Sequence, residues 1–197
     1  MEIVPASRQS LTSSKDLAVC NGESDLLRKR LDELVFPELL RAFSLVVFEE
    51  FKELVTSVAD LSNAKVSVAN VKGVDRMRVK RQNYEDDHCL DKPPFTAYIT
   101  DTLRCTFICP QTDASDSMSR AWDQLNDEPR LTVLRLKNKA LEEVNPYNLH
   151  VNVMFEPKCC QCKIIVEIQI QNERVYNMKK INHGMYQIVR APNAEEL

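Results

Sequence analysis

Two features are missing from this sequence: a long apolar run and an excess of positive charge. No apolar segment approaches the roughly 20 residues that a membrane span requires, and the N-terminal residues lack the charged and apolar regions of a signal peptide. The formal net charge is -3 over 197 residues, which does not favour bulk nucleic-acid binding. We therefore expect a soluble, intracellular, cytoplasmic protein without a membrane partner, in which any phosphate binding is local.

The cysteines do not indicate a disulfide framework. There are 7, an odd number, and Cys105 and Cys109 fall in a strand-like segment where reduced, buried thiols are the simpler interpretation. Cys159 and Cys162 have the two-residue spacing of half a zinc site. No second pair follows, and Cys89 could join them only through the fold, so zinc and a thiol-bearing hairpin tip both stay open. No Ser-His-Asp or Cys-His arrangement indicates acyl transfer or nuclease chemistry.

The length and the 44% of hydrophobic residues predict one domain with a substantial core. Residues 1–22 are polar and Ser-rich, and we interpret them as a flexible leader before a single domain at 23–197. Apolar side chains recur at helical spacing over 23–62, where Pro37 is expected to separate two helices. The segment 63–190 is predicted to form the core.

The pattern becomes β-rich after a short basic helix at about Val74 to Asp87. The stretch from Phe95 to Cys109 is predicted as one strand, followed by a helix that Asp113 or Ser115 caps. Further strands are predicted in "RLTVLRLKNKA", "NLHVNVMFE" and "KIIVEIQIQ", of which the last two form a hairpin. A final helix is predicted at 172–190. This order predicts an α+β fold, a mixed sheet of about five strands flanked by helices.

Two carboxylates are unusual in their positions on the predicted strands. Asp101 shares its parity with apolar residues, and a carboxylate on an apolar face costs several kcal/mol unless it is paired. Glu167 alternates with the apolar residues of its strand and shares its face with Gln169. Asp101 could form a salt bridge, or it could hold Mg²⁺ together with Glu167, because Mg²⁺ takes carboxylate oxygens, water and substrate phosphates. The candidate salt-bridge partners are Arg104, Arg135 and Lys137.

Two basic groups could supply the cations that a phosphate site needs. The segment "NVKGVDRMRVK" places Lys72, Arg76 and Lys80 at a spacing of four, which is one face of a helix. The strand "VLRLKNK" places Arg135 and Lys137 two residues apart, on one face. A solvated basic face is the alternative interpretation of each group.

Together these segments resemble the RelA/SpoT-like synthetase domain, a member of the nucleotidyltransferase fold. The resemblance rests on "NVKGVDRMRVK", "ITDTLRCTF", "LRLKNK", "VEIQIQ" and "HGMY", which occur in the order and spacing of that family. It covers about residues 70–190. The fold it implies is nucleotidyltransferase-like, with additional N-terminal helices.

The resemblance implies roles for individual residues. In that family the acid of "I-x-D" and the Glu of "E-I-Q-I" bind magnesium, which implies catalytic and metal-binding roles for Asp101 and Glu167. It implies Mg²⁺ as the cofactor, ATP as the donor substrate, and nucleotide binding by a larger set. That set is Lys72, Arg76, Lys80, Arg135, Lys137, Tyr147, Gln169 and His183.

The sequence also departs from the family pattern. Asn70 stands where the ATP motif has Arg, Arg76 where it has Ser, and Gln171 where the strand motif has Arg. The aromatic residue that stacks on the acceptor guanine falls on Pro146 when counted without a gap, and on Tyr147 with a shift of one residue. These departures make a guanine nucleotide a poor candidate for the acceptor.

The function implied by the resemblance is transfer of pyrophosphate from ATP to a ribose 3′-hydroxyl, with release of AMP. The acceptor would be a nucleotide or an RNA. The alternative is a catalytically inactive module on the same fold that binds a nucleotide or another protein. The sequence also leaves open a homo-oligomeric state.

Overall fold

One mixed sheet of five strands organises the part of the chain that the structure describes. The computed structural model describes residues 24–87, 93–138 and 148–190, with the backbone alone for 183–190. The strands are β1 Lys65–Val68, β2 Arg104–Cys109, β3 Leu131–Asn138, β4 Asn148–Phe155 and β5 Ile164–Asn172. Their order is β1, β2, β5, β4, β3. β2 and β5 run parallel, and the other neighbours are antiparallel.

Helices precede and flank this sheet, which confirms the predicted α+β architecture with N-terminal helices. They are α1 24–30, α2 Phe36–Val46, α3 Phe48–Leu61, α4 Val74–Asp86, α5 Ala114–Asp127 and α6 Glu173–Arg190. A π-helical segment, Leu31–Val35, joins α1 to α2, and short 3₁₀ helices lie at Phe95–Tyr98 and Gln111–Asp113. Across the residues described here, none of the helices has the length and apolarity to cross a bilayer.

The apolar face of the sheet packs against α3 and α5. The predicted alternation in β5 is confirmed: Ile168 and Ile170 are fully buried, as is Phe155 of β4. The rings of Phe155 and Phe51 of α3 lie 5.7 Å apart between centroids. Each fully buried side chain of this size contributes roughly 1.5–3 kcal/mol of hydrophobic stabilisation, so this face holds the helices to the sheet. Cys105 also faces the core as a buried free thiol, as predicted.

The opposite face of the sheet is polar, and α6 covers only one end of it. Tyr176 of α6 donates its hydroxyl hydrogen to Ser67 Oγ of β1 at 3.1 Å. Lys179 Nζ donates to Gln171 Oε1 of β5 at 2.8 Å. At the other edge, β3 is exposed from Leu134 onward. Within the described residues, the polar face is therefore partly exposed over β5 and β4 and exposed over most of β3.

The prediction of one strand from Phe95 to Cys109 is wrong, because its first residues form a 3₁₀ helix and β2 begins only at Arg104. The cause lies in distant sequence. The carboxylate of Asp32 accepts hydrogen bonds from the backbone N–H groups of Phe95 at 2.7 Å and Thr96 at 2.9 Å. These bonds replace the strand pairing that the two N–H groups would otherwise need. Asp101 consequently lies in a loop, not on a strand.

Two helix boundaries also differ from the prediction. Pro37 does not separate helices; it lies in the first turn of α2, where a missing N–H group has no cost. The chain leaves the helical path at Val47, with φ of -97° and ψ of 3°. Asp113 does stand at the N-cap of α5, but its side chain makes no cap hydrogen bond and pairs with Arg120 instead.

A buried charge pair joins the N-terminal helices to α4. Asp32 is 1% exposed and Arg81 is 3% exposed. Arg81 Nη1 lies 3.5 Å from Asp32 Oδ2, and Arg81 Nη2 lies 2.8 Å from Glu85 Oε2. Since Asp32 also caps the 3₁₀ helix at Phe95–Tyr98, one carboxylate connects three segments.

We therefore expect Asp32→Ala to lower the free energy of unfolding by about 3–5 kcal/mol, because Arg81 Nη1 loses its charged partner and the buried N–H groups of Phe95 and Thr96 lose their acceptor. Glu33→Ala is the matched control. Glu33 also contacts Arg81, at 3.4 Å, but its side chain is 34% exposed, so its loss should cost about 1 kcal/mol or less. Urea denaturation of both variants measures the difference, and equal losses would contradict this account.

Candidate functional site

The loop after β1 places Lys72 beside the start of β2. β1 itself is absent from the sequence prediction, because four residues are too few to show a clear alternation. The antiparallel pairing continues beyond it. The N–H of Ala69 donates to the carbonyl oxygen of Arg104 at 3.0 Å, and the N–H of Lys72 donates to that of Thr102 at 3.1 Å. These bonds hold Lys72 next to Asp101.

Asp101 forms ion pairs with two lysines at once. Lys72 Nζ contacts Asp101 Oδ2, and Lys80 Nζ, from α4, lies 2.7 Å from Asp101 Oδ1. The side chains are 16%, 30% and 11% exposed for Lys72, Lys80 and Asp101. The expected salt-bridge partners Arg104, Arg135 and Lys137 are therefore wrong. They were chosen for a strand position that Asp101 does not occupy.

Burial and charge act in opposite directions on this cluster. Burial tends to raise the pKa of Asp101, but the hydrogen bond from Lys72 and the ion pair with Lys80 outweigh it and hold that pKa below its ordinary value. Burial lowers the pKa of Lys72. For Lys80 burial is again the largest single effect, yet Asp101 and Tyr84 together raise its pKa. Asp101 is therefore a carboxylate held ionised by its neighbours.

Glu167 lies next to this cluster through the parallel pairing of β5 with β2. Its N–H donates to the carbonyl oxygen of Leu103 at 3.0 Å. Its carboxylate accepts a hydrogen bond from Gln169 Nε2 at 2.7 Å and faces His150 Nδ1 at 3.6 Å. Burial opposes ionisation, but His150 and Gln169 lower the pKa of Glu167 overall, while the charge of Asp101 acts to raise it. Glu167 is therefore an ionised carboxylate, like Asp101.

The predicted basic residues of β3 share the face of Glu167. Arg135 pairs with Asn152, which pairs with Glu167, while Lys137 pairs with His150 in the next polar row. Residues paired across a sheet point to the same side, and two strand spacings amount to about 10 Å. Arg135 and Lys137 are both exposed. They therefore border the polar face without contacting Asp101.

Lys72, Lys80 and Asp101 form a lysine–aspartate cluster. A cleft of about 1090 Å³ opens at this cluster. Its lining combines cations, two separate amides and a single buried carboxylate. The residues are Asn70, Lys72, Gly73, Asp75, Arg76, Val79, Lys80, Asn83, Asp101 and Arg104. Lys72, Arg76, Lys80 and Asp101 were expected at the site from the sequence. With Arg104 they give this cleft the charge that polyphosphate requires.

For two of the expected site residues, the structure describes no side chain. Tyr147 lies outside the described residues, and for His183 only the backbone in α6 is described. Two other residues were missed as site candidates. His150 is identifiable from its register beside Gln169 only once the strand pairing is known. Arg104 was considered only as a partner of Asp101, because the sequence alone did not show where β2 begins.

This chain is similar to known proteins in its fold, although its sequence matches no family model. No protein-family model matches the chain, and no curated protein matches it. Solved structures do match. Small alarmone synthetase 1 from Bacillus subtilis, bound to its product pppGpp, is 14% identical with a TM-score of 0.60, over 78% of this chain and 84% of that one. Small alarmone synthetase 2 from the same organism gives 15% and 0.53, over 80% and 82%.

A GTP pyrophosphokinase family protein from Streptococcus pneumoniae is 13% identical with a TM-score of 0.52, over 75% of each chain. This chain has the fold of the small alarmone synthetases. The RelA/SpoT-like resemblance of the separate motifs is thus confirmed for the fold as a whole. At these identities the alarmone-synthetase fold says nothing by itself about the substrate.

The structure shows the surroundings of one residue that departs from the family pattern. Gln171, which replaces an Arg of the motif, is 2% exposed and accepts its hydrogen bond from Lys179. A positive charge therefore does stand at this end of the polar face, but α6 supplies it. From the sequence, Lys179 is identifiable only as part of the polar face of the last helix.

The cysteines of the β4–β5 hairpin lie away from this cleft. Cys159 and Cys162 are exposed free thiols, and the predicted hairpin is confirmed. Glu50 of α3 anchors its tip by accepting from the N–H of Lys158 at 2.7 Å, a contact that lowers the pKa of Glu50. Within the described ranges no group of three or more His, Cys, Asp or Glu side chains could hold a metal ion. Cys89 lies outside those ranges.

The donor set of Asp101 and Glu167 fits Mg²⁺ bound with a substrate. Two carboxylates are too few for an all-protein site, but Mg²⁺ commonly binds through one or two carboxylates and completes its coordination with water and phosphate oxygens. Glu167 is paired in the sheet with Arg104, which lines the cleft together with Asp101. Asp101 meets this requirement only when its oxygens are released from the lysines.

We expect Asp101→Asn to be less stable than wild type by about 1–3 kcal/mol at neutral pH, since two partly buried ammonium groups lose their charged acceptor. A carboxylate whose pKa is lowered on folding stabilises the folded state above its unfolded pKa, and this contribution is lost as the pH falls through the folded pKa. The ordinary value for Asp101 is 3.8. The difference should therefore be complete above about pH 5 and shrink below about pH 4. Urea denaturation across this range measures it, and a constant difference would refute the ion-pair account.

Proposed function

We propose that this protein transfers pyrophosphate from ATP to a ribose 3′-hydroxyl in a Mg²⁺-dependent reaction. The observation that carries this proposal is the placement of Lys72, Lys80 and Asp101 in one cleft, with Glu167 beside it, on the alarmone-synthetase fold. A metal-binding carboxylate pair beside clustered cations is what phosphoryl transfer needs.

The cations of the cleft would bind the triphosphate of ATP. Lys72 and Lys80 are the closest to the carboxylates, and Arg76 and Arg104 line the same cleft. Ammonium and guanidinium groups form charge-assisted hydrogen bonds with phosphate oxygens, and arginine can do so with two parallel bonds. These contacts stabilise the negative charge that spreads over the phosphate oxygens in the transition state. Bound Mg²⁺, held by Asp101 and Glu167, would neutralise part of the same charge.

Glu167 is suited to accept the proton of the attacking hydroxyl. In the proposed reaction the 3′-oxygen attacks the β-phosphorus of ATP, the bond from that phosphorus to the α,β-bridging oxygen breaks, and AMP leaves. The hydroxyl proton passes to a carboxylate oxygen of Glu167, which Gln169 and His150 hold in place. The lowered pKa of Glu167 keeps it unprotonated before the step. Positioning of this kind supplies much of the rate in group transfer.

The acceptor would lie over the open part of the polar face. Arg135 and Lys137 on the exposed edge strand β3 could bind its phosphates, and nothing in the described residues closes this edge. An open edge suits either a nucleotide or the end of an RNA. One structure of small alarmone synthetase 1 from Bacillus subtilis contains AMPCPP, which supports ATP as the donor here.

A second candidate function is a non-catalytic module that binds a nucleotide or a protein. One observation favours it: both oxygens of Asp101 are engaged by lysines. The replacements at Asn70 and Gln171 point the same way. Its distinguishing property is nucleotide binding without any release of AMP.

The deciding experiment follows AMP release from ATP in the presence of Mg²⁺ and a panel of nucleoside di- and triphosphates or transfer RNA. We expect release that needs both Mg²⁺ and one acceptor, and Glu167→Gln should reduce it by about 100-fold or more. Glu173→Gln is the matched control, because Glu173 pairs with the exposed Lys65 at 3.2 Å and does not line the cleft. Its activity should equal that of wild type.

Calorimetric titration with AMPCPP separates the two candidate functions. Magnesium-dependent binding that weakens in Glu167→Gln, without AMP release for any acceptor, would favour the non-catalytic module. Absence of binding to the well-folded wild-type protein would rule out the transferase.

A further inference from the structure

The ion pairs of the lysine–aspartate cluster affect the order in which ligands can bind. A carboxylate has two oxygens, and each oxygen of Asp101 already contacts an ammonium group. The three groups together carry a net charge of one positive unit. A divalent cation approaching Asp101 would therefore meet two positive charges at contact distance, in a site where all three side chains are largely buried.

Repulsion of this kind is strong away from water. Like charges at contact distance repel each other more strongly there than in bulk water, and a divalent ion doubles the repulsion from each lysine. Asp101 thus has little affinity for a cation while both lysines hold it. The charge that can move the lysines away is a phosphate chain in the adjoining cleft, where Arg76 and Arg104 also face it.

We propose that Asp101 and a polyphosphate chain compete for Lys72 and Lys80, so that polyphosphate must bind before Asp101 can hold a divalent cation. This inference rests on the proposed function only in that it assigns polyphosphate to the cleft. In the free protein, the two lysines would therefore block Asp101 from binding a metal ion. Binding of the nucleotide would draw the lysines away from Asp101. The ion pairs of the free protein are then compatible with catalysis.

The first test measures binding of inorganic tripolyphosphate in the presence of a chelator, by calorimetry. Asp101→Asn should bind it about tenfold or more tightly than wild type, because the two lysines lose a charge-assisted competitor. Asp75→Asn is the matched control. Asp75 lines the same cleft but is 96% exposed and pairs with Arg78, so its loss removes the same charge without freeing either lysine.

The second test uses Mn²⁺ alone, as a spectroscopic probe of the carboxylate site. Lys80→Met should bind Mn²⁺ at least about tenfold more tightly than wild type, and the gain should vanish in Lys80→Met combined with Asp101→Asn. Lys65→Met, at an exposed lysine that pairs with Glu173, should leave Mn²⁺ binding unchanged. This test stays informative even if Asp101→Asn fails to fold.

Two results would overturn the inference: Asp101→Asn binding tripolyphosphate no more tightly than Asp75→Asn, or wild type binding Mn²⁺ alone as tightly as Lys80→Met. These outcomes are independent of AMP release. Tighter tripolyphosphate binding without AMP release would support the competition and count against the transferase. AMP release without the competition would leave the transferase standing and remove the inference.

Discussion

The parallel pairing of β2 with β5 is the constraint on which the site depends. It brings residues far apart in the chain into register, so that Glu167 stands opposite Arg104 and bonds to the backbone at Leu103. Asp101 lies just before this point. A parallel pair cannot be joined by a short turn, and here α5, β3 and β4 form the connection. The register that sets Glu167 opposite Arg104 therefore exists only when most of the sheet has formed.

The two faces of the sheet differ in character, since one is apolar and the other is polar. One face is a continuous apolar core under α3 and α5, and it holds the strands rigidly in register. The other face carries Glu167, Gln169 and His150, whose side chains contact each other instead of the core. A rigid support of this kind fixes the positions of charged groups that would otherwise repel or move apart. The lysine–aspartate cluster lies just before β2, where Asp101 pairs with both Lys72 and Lys80.

How far the sequence predicted this arrangement differed from one carboxylate to the other. Glu167 was placed correctly, because its strand alternates regularly and alternation fixes the face of each residue. Asp101 was placed on a strand, since "FTAYITDTLRCTFIC" is rich in apolar and β-branched residues. The carboxylate of Asp32, 63 residues earlier, bonds to Phe95 and converts the first part of this stretch into a 3₁₀ turn. No local pattern reports such a contact, so the partners of Asp101 were wrong as well.

Sequence patterns were sufficient for the α+β class, the core-facing side of β5 and the motifs that resemble a RelA/SpoT-like synthetase. These follow from periodicity and spacing, which are properties of neighbouring residues. The tertiary structure alone decided that Lys72 meets Asp101 across 29 residues, and that His150 faces Glu167. It also decided that Lys179 donates a hydrogen bond to Gln171. The reason is physical: a charge takes whichever partner the packed backbone brings within reach, and that geometry is set by the pairing of strands and not by distance along the chain.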